Sequence, residues 1–135
     1  MHEIANTEAY TLSVDPTKNR IYFTVTDNGP LMSPRFVQDW EKARHLVSPG
    51  FTILMDASLL QQITREWIEA SVKIHRMLVE GGLAGTAEIL CNRVAEKLHI
   101  NRIDRISRNC YAKEEIFTSR RAAEIWLDRI SGARK

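Results

Sequence analysis

The amino-acid sequence predicts an α/β fold: a mixed, mostly parallel sheet with an N-terminal β-hairpin and about four helices. Three observations carry this expectation. Segments of strand character alternate with segments of helical apolar spacing, the order that parallel strands and right-handed crossovers produce. Two strand-like runs come first, separated by turn-forming residues, and should pair as an antiparallel hairpin. The run Phe51-Thr-Ile-Leu-Met55 is apolar rather than alternating, so it needs cover on both faces and belongs at the centre of the sheet, between strands at Tyr22 and Ile89.

Each element follows from local chemistry. Met1 to Ala9 is expected to be loosely held, as chain ends are. Tyr10-Thr-Leu-Ser-Val14 alternates as a half-buried strand should. Asp15-Pro-Thr-Lys-Asn19 is a turn, because Asp, Pro and Asn each favour turn geometry. Arg20 to Thr26 is rich in β-branched and aromatic residues and forms the second strand. Ser33 and Pro34 open a helix as N-cap and first helical residue. Phe36, Val37, Trp40, Ala43 and Leu46-Val47 give it an apolar stripe. Ser48-Pro-Gly50 stops it before the central strand. Thr64 caps a long helix to about Glu80, with Trp67, Ile68, Ser71-Val72, His75 and Leu78-Val79 on its inward face, and Gly81-Gly82 ends it. Thr86 to Cys91 is another buried strand, and residues 93–105 form a helix. A last edge strand lies at Ser107 to Cys110 or at Glu115 to Phe117. Thr118 or Ser119 then caps a helix whose inward residues are Ala122, Ala123, Ile125, Trp126 and Ile130. The order is β-β-α-β-α-β-α-(β)-α.

Composition narrows the function. The 135 residues are expected to make a single domain, residues 1–135, with a hydrophobic content of 44% and charged content of 27%. No apolar run reaches the ~20 residues of a membrane span. The N-terminus lacks signal-peptide character, so cytoplasmic residence is expected. Cys91 and Cys110 are too few for a disulfide framework and match no zinc pattern; reduced thiols are expected. The net charge of +2 is uneven: 8 basic and 11 acidic residues up to Cys91, then 11 basic and 6 acidic. Arg102, Arg105 and Arg108, three apart, define a candidate anion surface. A nucleic-acid role is disfavoured there, because no aromatic residues interleave and acidic side chains dilute the charge.

The element order, with Asp56-Ala-Ser58 closing the central strand, a capped helix soon after, and Phe117-Thr-Ser119 leading into Ala122-Ala-Glu-Ile-Trp126-Leu127, resembles the SpoIIAA-like superfamily. That superfamily includes the STAS domains of anti-sigma-factor antagonists. The resemblance spans roughly Tyr10 to Ile130. It implies a non-enzymatic regulatory or interaction domain that binds a protein partner or an apolar ligand. A similar fold in lipid-binding CRAL-TRIO domains implies the alternative, a carrier holding a lipid-like molecule between sheet and helices. Antagonists of this type are phosphorylated in an Asp-Ser-Ser-Gly stretch. Here Thr64-Arg65-Glu66-Trp67 stands in that place, so no kinase-dependent switch is expected.

Candidate residues are few. No catalytic or metal-ligating signature is present, and no cofactor is implied: the four histidines have no ligand spacing, and no nucleophile elbow, phosphate loop or dinucleotide fingerprint occurs. A small enzyme using Asp56 lacks a visible second group. Asp56, Ser58, Thr64 and Trp67 make the candidate ligand or partner surface, since ligands collect beyond the carboxyl ends of strands in α/β sheets. The plainer reading gives Asp56 and Ser58 local hydrogen bonds in a turn. Ile74 and Met77 lie off the inward stripe of their helix and are expected to form a homodimer or partner interface.

Overall fold

The computed structural model describes residues 1–26, 34–59, 65–90 and 113–132. The strands are β1 (His2–Asn6), β2 (Tyr10–Asp15), β3 (Arg20–Val25), β4 (Thr52–Ala57), β5 (Gly85–Leu90) and β6 (Lys113–Phe117); the described helices are α1 (Pro34–His45), α2 (Arg65–Glu80) and α3 (Arg120–Gly132). The strands form one sheet in chain order, β1-β2-β3-β4-β5-β6. β1, β2 and β3 pair antiparallel, and β3 to β6 pair parallel. This is the expected α/β fold with a mixed, mostly parallel sheet. β4 lies between β3 and β5, at the position its apolar character requires. Ser33, Thr64, both cysteines, the helix expected over residues 93–105 and the Arg102, Arg105 and Arg108 surface lie outside the described residues.

One expectation about the chain ends changes. Residues 2–6 are a paired strand rather than a loose end, with Ala5 buried. The strand escapes pattern reading because its register shifts between Glu3 and Ala5, which breaks the alternation. An edge strand lies at Lys113–Phe117, over the second of the two positions the sequence left open; the first, Ser107 to Cys110, lies outside the described residues.

The turn between β2 and β3 is built as its residues suggest. The Asp15 carboxylate accepts the N–H groups of Thr17 and Lys18 at 3.0 and 3.3 Å. Asn19 takes a positive φ of 54°, and its side chain exchanges hydrogen bonds with the backbone of Ser48. The hairpin is thereby tied to the entry of β4.

α2 ends in a Schellman motif. The N–H of Leu83 donates to the carbonyl of Leu78 at 3.0 Å, and that of Gly82 to the carbonyl of Val79 at 3.1 Å. Gly82 holds φ at +99°, and a Cβ there would lie 2.8 Å from the Pro49 Cα. Gly82→Ala should therefore cost about 2 kcal/mol or more, through backbone strain and the clash with Pro49. Urea unfolding of the variant measures it; an unchanged midpoint would contradict the assignment.

The faces of the sheet divide the core in two. Leu12, Val14, Ile21, Phe23, Val25 and Ile53 point to the face covered by α1 (Phe36, Trp40, Ala43) and α2 (Ala70, Ile74, Leu78). Tyr22, Leu54, Ala87 and Ile89 point to the other face, under Ala123 and Leu127 of α3. The inward side of α3 is thus Ala123 and Leu127, with Trp126 partly buried against Phe117, while Ala122 and Ile125 are exposed. The expected stripe holds at Ala123, with Trp126 and Ile130 half-buried, and fails at Ala122 and Ile125; Glu124 and Asp128 reach toward the sheet to meet a buried cation.

That cation is Arg20, 1% exposed. Its Nε donates to Thr52 Oγ1 at 3.0 Å; its two terminal nitrogens donate to Glu124 Oε1 and Asp128 Oδ1, each at 2.9 Å. The Tyr22 hydroxyl donates to the same Glu124 oxygen at 3.0 Å. Burial acts to lower the Arg20 pKa, but the hydrogen bonds to Asp128 and Tyr22 and the charge of Glu124 outweigh it, and the net shift is upward. Arg120 lies 5.5 Å over the Tyr22 ring and closes the cluster. Charge pairing, as well as apolar packing, thus fixes α3 on the sheet.

Candidate functional site

The opposite face holds the candidate site, and strand register builds it. Two rows of side chains cross the sheet beneath α1 and α2. One runs Ile21, Ile53, Thr86, Glu114; the other runs Phe23, Met55, Glu88, Ile116. The rows are apolar on β3 and β4, and both turn polar at β5. α1 lays Phe36 and Trp40 over the apolar end. α2 brings Ala70, Ile74 and Leu78 over the middle and His75 over the polar end. Between them lies a cavity of about 70 Å³ that opens partly to the surface.

Its apolar end is an aromatic cluster. Phe23 and Trp40 meet edge to face at 5.2 Å, and so do Tyr10 and Phe36. Such contacts fix ring orientation beyond what burial alone does. Tyr10 anchors the cluster through its hydroxyl, which donates to Asp39 Oδ2 of α1 at 2.6 Å. Burial, then this hydrogen bond, pushes the Tyr10 pKa up to about 12. Burial likewise raises that of Tyr22.

A pH dependence follows. The unfolded tyrosine has a pKa of about 10, so the folded state holds the Tyr10 proton more tightly. Its contribution, roughly 2–3 kcal/mol, is fully present below about pH 10 and is lost as pH rises through about 12. Unfolding free energies measured from about pH 9 to 12 should fall more steeply for the parent than for Tyr10→Phe. Equal slopes would show that Tyr10 does not titrate with folding.

The polar end is compact. His75 Nδ1 lies 3.4 Å from Glu114 Oε1, and their side chains are 8% and 6% exposed. Glu88 and Thr86 are buried beside them. Buried polar groups of this kind persist only when partnered, and His75, Glu88 and Glu114 all have partners. The pocket therefore offers an apolar body and one polar end, the usual character of a small-molecule site. Among the described residues, no group of His, Cys, Asp and Glu side chains is arranged to hold a metal ion.

The residues singled out from sequence lie elsewhere. Asp56 sits on β4, with its side chain on the face away from the cavity, beside Thr24 and Ile89 in register. Its Oδ1 accepts the backbone N–H and the hydroxyl of Ser58 at 3.0 and 2.7 Å, the local turn role. Leu59 next to it is 62% exposed. Thr64 is outside the described residues, and Trp67 lies in the first turn of α2. Ile74 is 6% exposed and belongs to the core, and Met77 is half-buried against that core. They do not form the exposed apolar group expected of an interface. The reason is rotation: α2 turns Ala70 and Ile74 inward together with the expected His75 and Leu78, and Met77 and Val79 are partly buried against the same core. Apolar residues on several sides of the helix hide that choice in the sequence.

The spacing of α2 places His75 inward, but it does not point to Glu88 or Glu114. One signal for Glu88 existed: a carboxylate inside the otherwise apolar run Thr86 to Leu90, on a strand buried at every position. Glu114 carried no comparable signal, because its place depends on the register of β6.

Comparison with known proteins gives no match to a family model, a curated protein or a solved structure. No helix among the described residues is long and apolar enough to cross a membrane.

Proposed function

We propose that this protein is a non-enzymatic binding domain of SpoIIAA-like type that holds a small, largely apolar molecule between its sheet and helices α1 and α2. The observation that carries the reading is the graded pocket, aromatic and aliphatic over β3 and β4 and polar over β5 and β6. A site of this form binds by excluding water from an apolar body and orienting it with a few polar groups. Size limits the occupant. A dry cavity of about 150 Å³ accepts benzene, so a cavity of about 70 Å³ suits a compact molecule, or one end of a longer one that reaches the surface. A whole acyl chain would require α2 to move. Few points of the α2 backbone approach the strands closely, whereas α3 lies tightly on β4, β5 and β6.

Native mass spectrometry of freshly purified protein, followed by denaturation and small-molecule analysis, tests the reading. A bound compound of low mass, released on unfolding, is the expected result. A stoichiometric second protein with no small molecule would favour the partner-binding role instead.

A further inference from the structure

Helix α2 is attached to the rest of the fold unevenly. Its C-terminal end is fixed by backbone: the Gly50 N–H donates to the Gly82 carbonyl at 2.7 Å, and the Ala84 N–H to the Phe51 carbonyl at 2.8 Å. Along its length, the α2 backbone approaches the strands at few points, and the cavity lies beneath it. Ala70, Ile74 and Leu78 cover that space with apolar side chains. At the polar end, His75 Nδ1 of α2 faces Glu114 Oε1 of β6 at 3.4 Å, and both side chains are buried. α3 differs, since it packs closely on β4, β5 and β6 and is bound to Arg20 by two carboxylates. A helix fixed at one end, spaced from the sheet along its length and joined to it by a side-chain pair has the parts of a hinge and a latch.

We infer that α2 is a lid: it lifts from the sheet as a unit, pivoting at its Gly81-Gly82 end, to admit the occupant of the cavity, and the His75–Glu114 pair latches it shut. This rests on the reading of the cavity as a ligand site. Lifting uncovers Ala70, Ile74 and Leu78 but leaves the strands paired with one another, so it costs less than unfolding the whole domain. The latch breaks in every such opening, because its two members sit on the elements that part. The pair therefore sets how often the cavity opens, and an occupant that fills the closed cavity holds the lid down.

Residue-resolved hydrogen–deuterium exchange on the full chain tests this. In the parent, the amides of α2 should be at least about tenfold less protected than those of β4, which exchange only when the sheet itself comes apart. Glu114→Gln keeps the size of the side chain and removes its charge. It should lower α2 protection about tenfold, the worth of one charge-assisted hydrogen bond. Saturating the solution with isobutene should raise α2 protection at least about twofold, because the probe binds the closed state. If α2 shares the protection of β4 in the parent, or if Glu114→Gln lowers that of β4 and leaves α2 unchanged, the lid is overturned and the ligand site stands. If isobutene leaves α2 protection unchanged, the ligand site falls and the role of the lid with it. Should Glu114→Gln fail to fold, the contrast between α2 and β4 in the parent decides alone.

Discussion

Replacing Arg20 with alanine is expected to lower the unfolding free energy by roughly 3 kcal/mol. The guanidinium is 1% exposed and bonds Thr52, Glu124 and Asp128 at once. Removing it leaves Thr52 Oγ1 without its donor, takes one partner from Glu124, and empties the volume of a long side chain in a packed region. Asp128 is 61% exposed and returns to water at little cost, which keeps the loss at the lower end of the range for broken buried pairs. Arg20→Lys should recover only part of the stability, because an ammonium cannot reproduce the planar fork that reaches three acceptors. Urea unfolding of both variants measures the effect. A loss below about 1 kcal/mol for Arg20→Ala would mean that α3 is held by Ala123 and Leu127 alone.

The second large effect is on binding. Ala70 is buried, and its methyl group borders the cavity. Ala70→Leu keeps a strong helix former and projects a branched apolar side chain into the empty space. Stability should change by less than about 1 kcal/mol, because burying new apolar surface offsets any crowding. Affinity for small apolar probes should fall at least about tenfold, because the space they need is taken. Unchanged affinity would place the probe site elsewhere.

The fold was legible where one residue pattern had one structural solution. Phe51 to Met55 lacks alternation, and only a strand covered on both faces accommodates that. Asp15 to Asn19 could hardly be anything but a turn, and Gly81-Gly82 served as a helix stop through a positive φ that Gly82 supplies. β1 was not legible, because a register shift breaks a pattern with few apolar residues to begin with. The site was less legible than the fold. Asp56 and Ser58 drew attention as a motif, yet they satisfy each other. The pocket is made by register: Glu114 comes beneath His75 only because β6 pairs with β5 so that Thr86 faces Glu114. It also depends on the rotation of α2, which apolar residues on several sides leave ambiguous. Arg20 shows the same limit, since its carboxylate partners lie more than 100 residues away in the chain.

The most direct measurement is an intermolecular NOE experiment on ¹³C-methyl-labelled protein with isobutene, a four-carbon molecule matched to the small cavity, as the probe. Binding between the sheet and α1 and α2 predicts NOEs from the probe to the methyl groups of Ile53, Met55 and Ile74, and none to Leu54 or Leu127 on the opposite face. NOEs confined to exposed Leu59 or Ile125, or no NOEs with the probe in large excess, would contradict the ligand site.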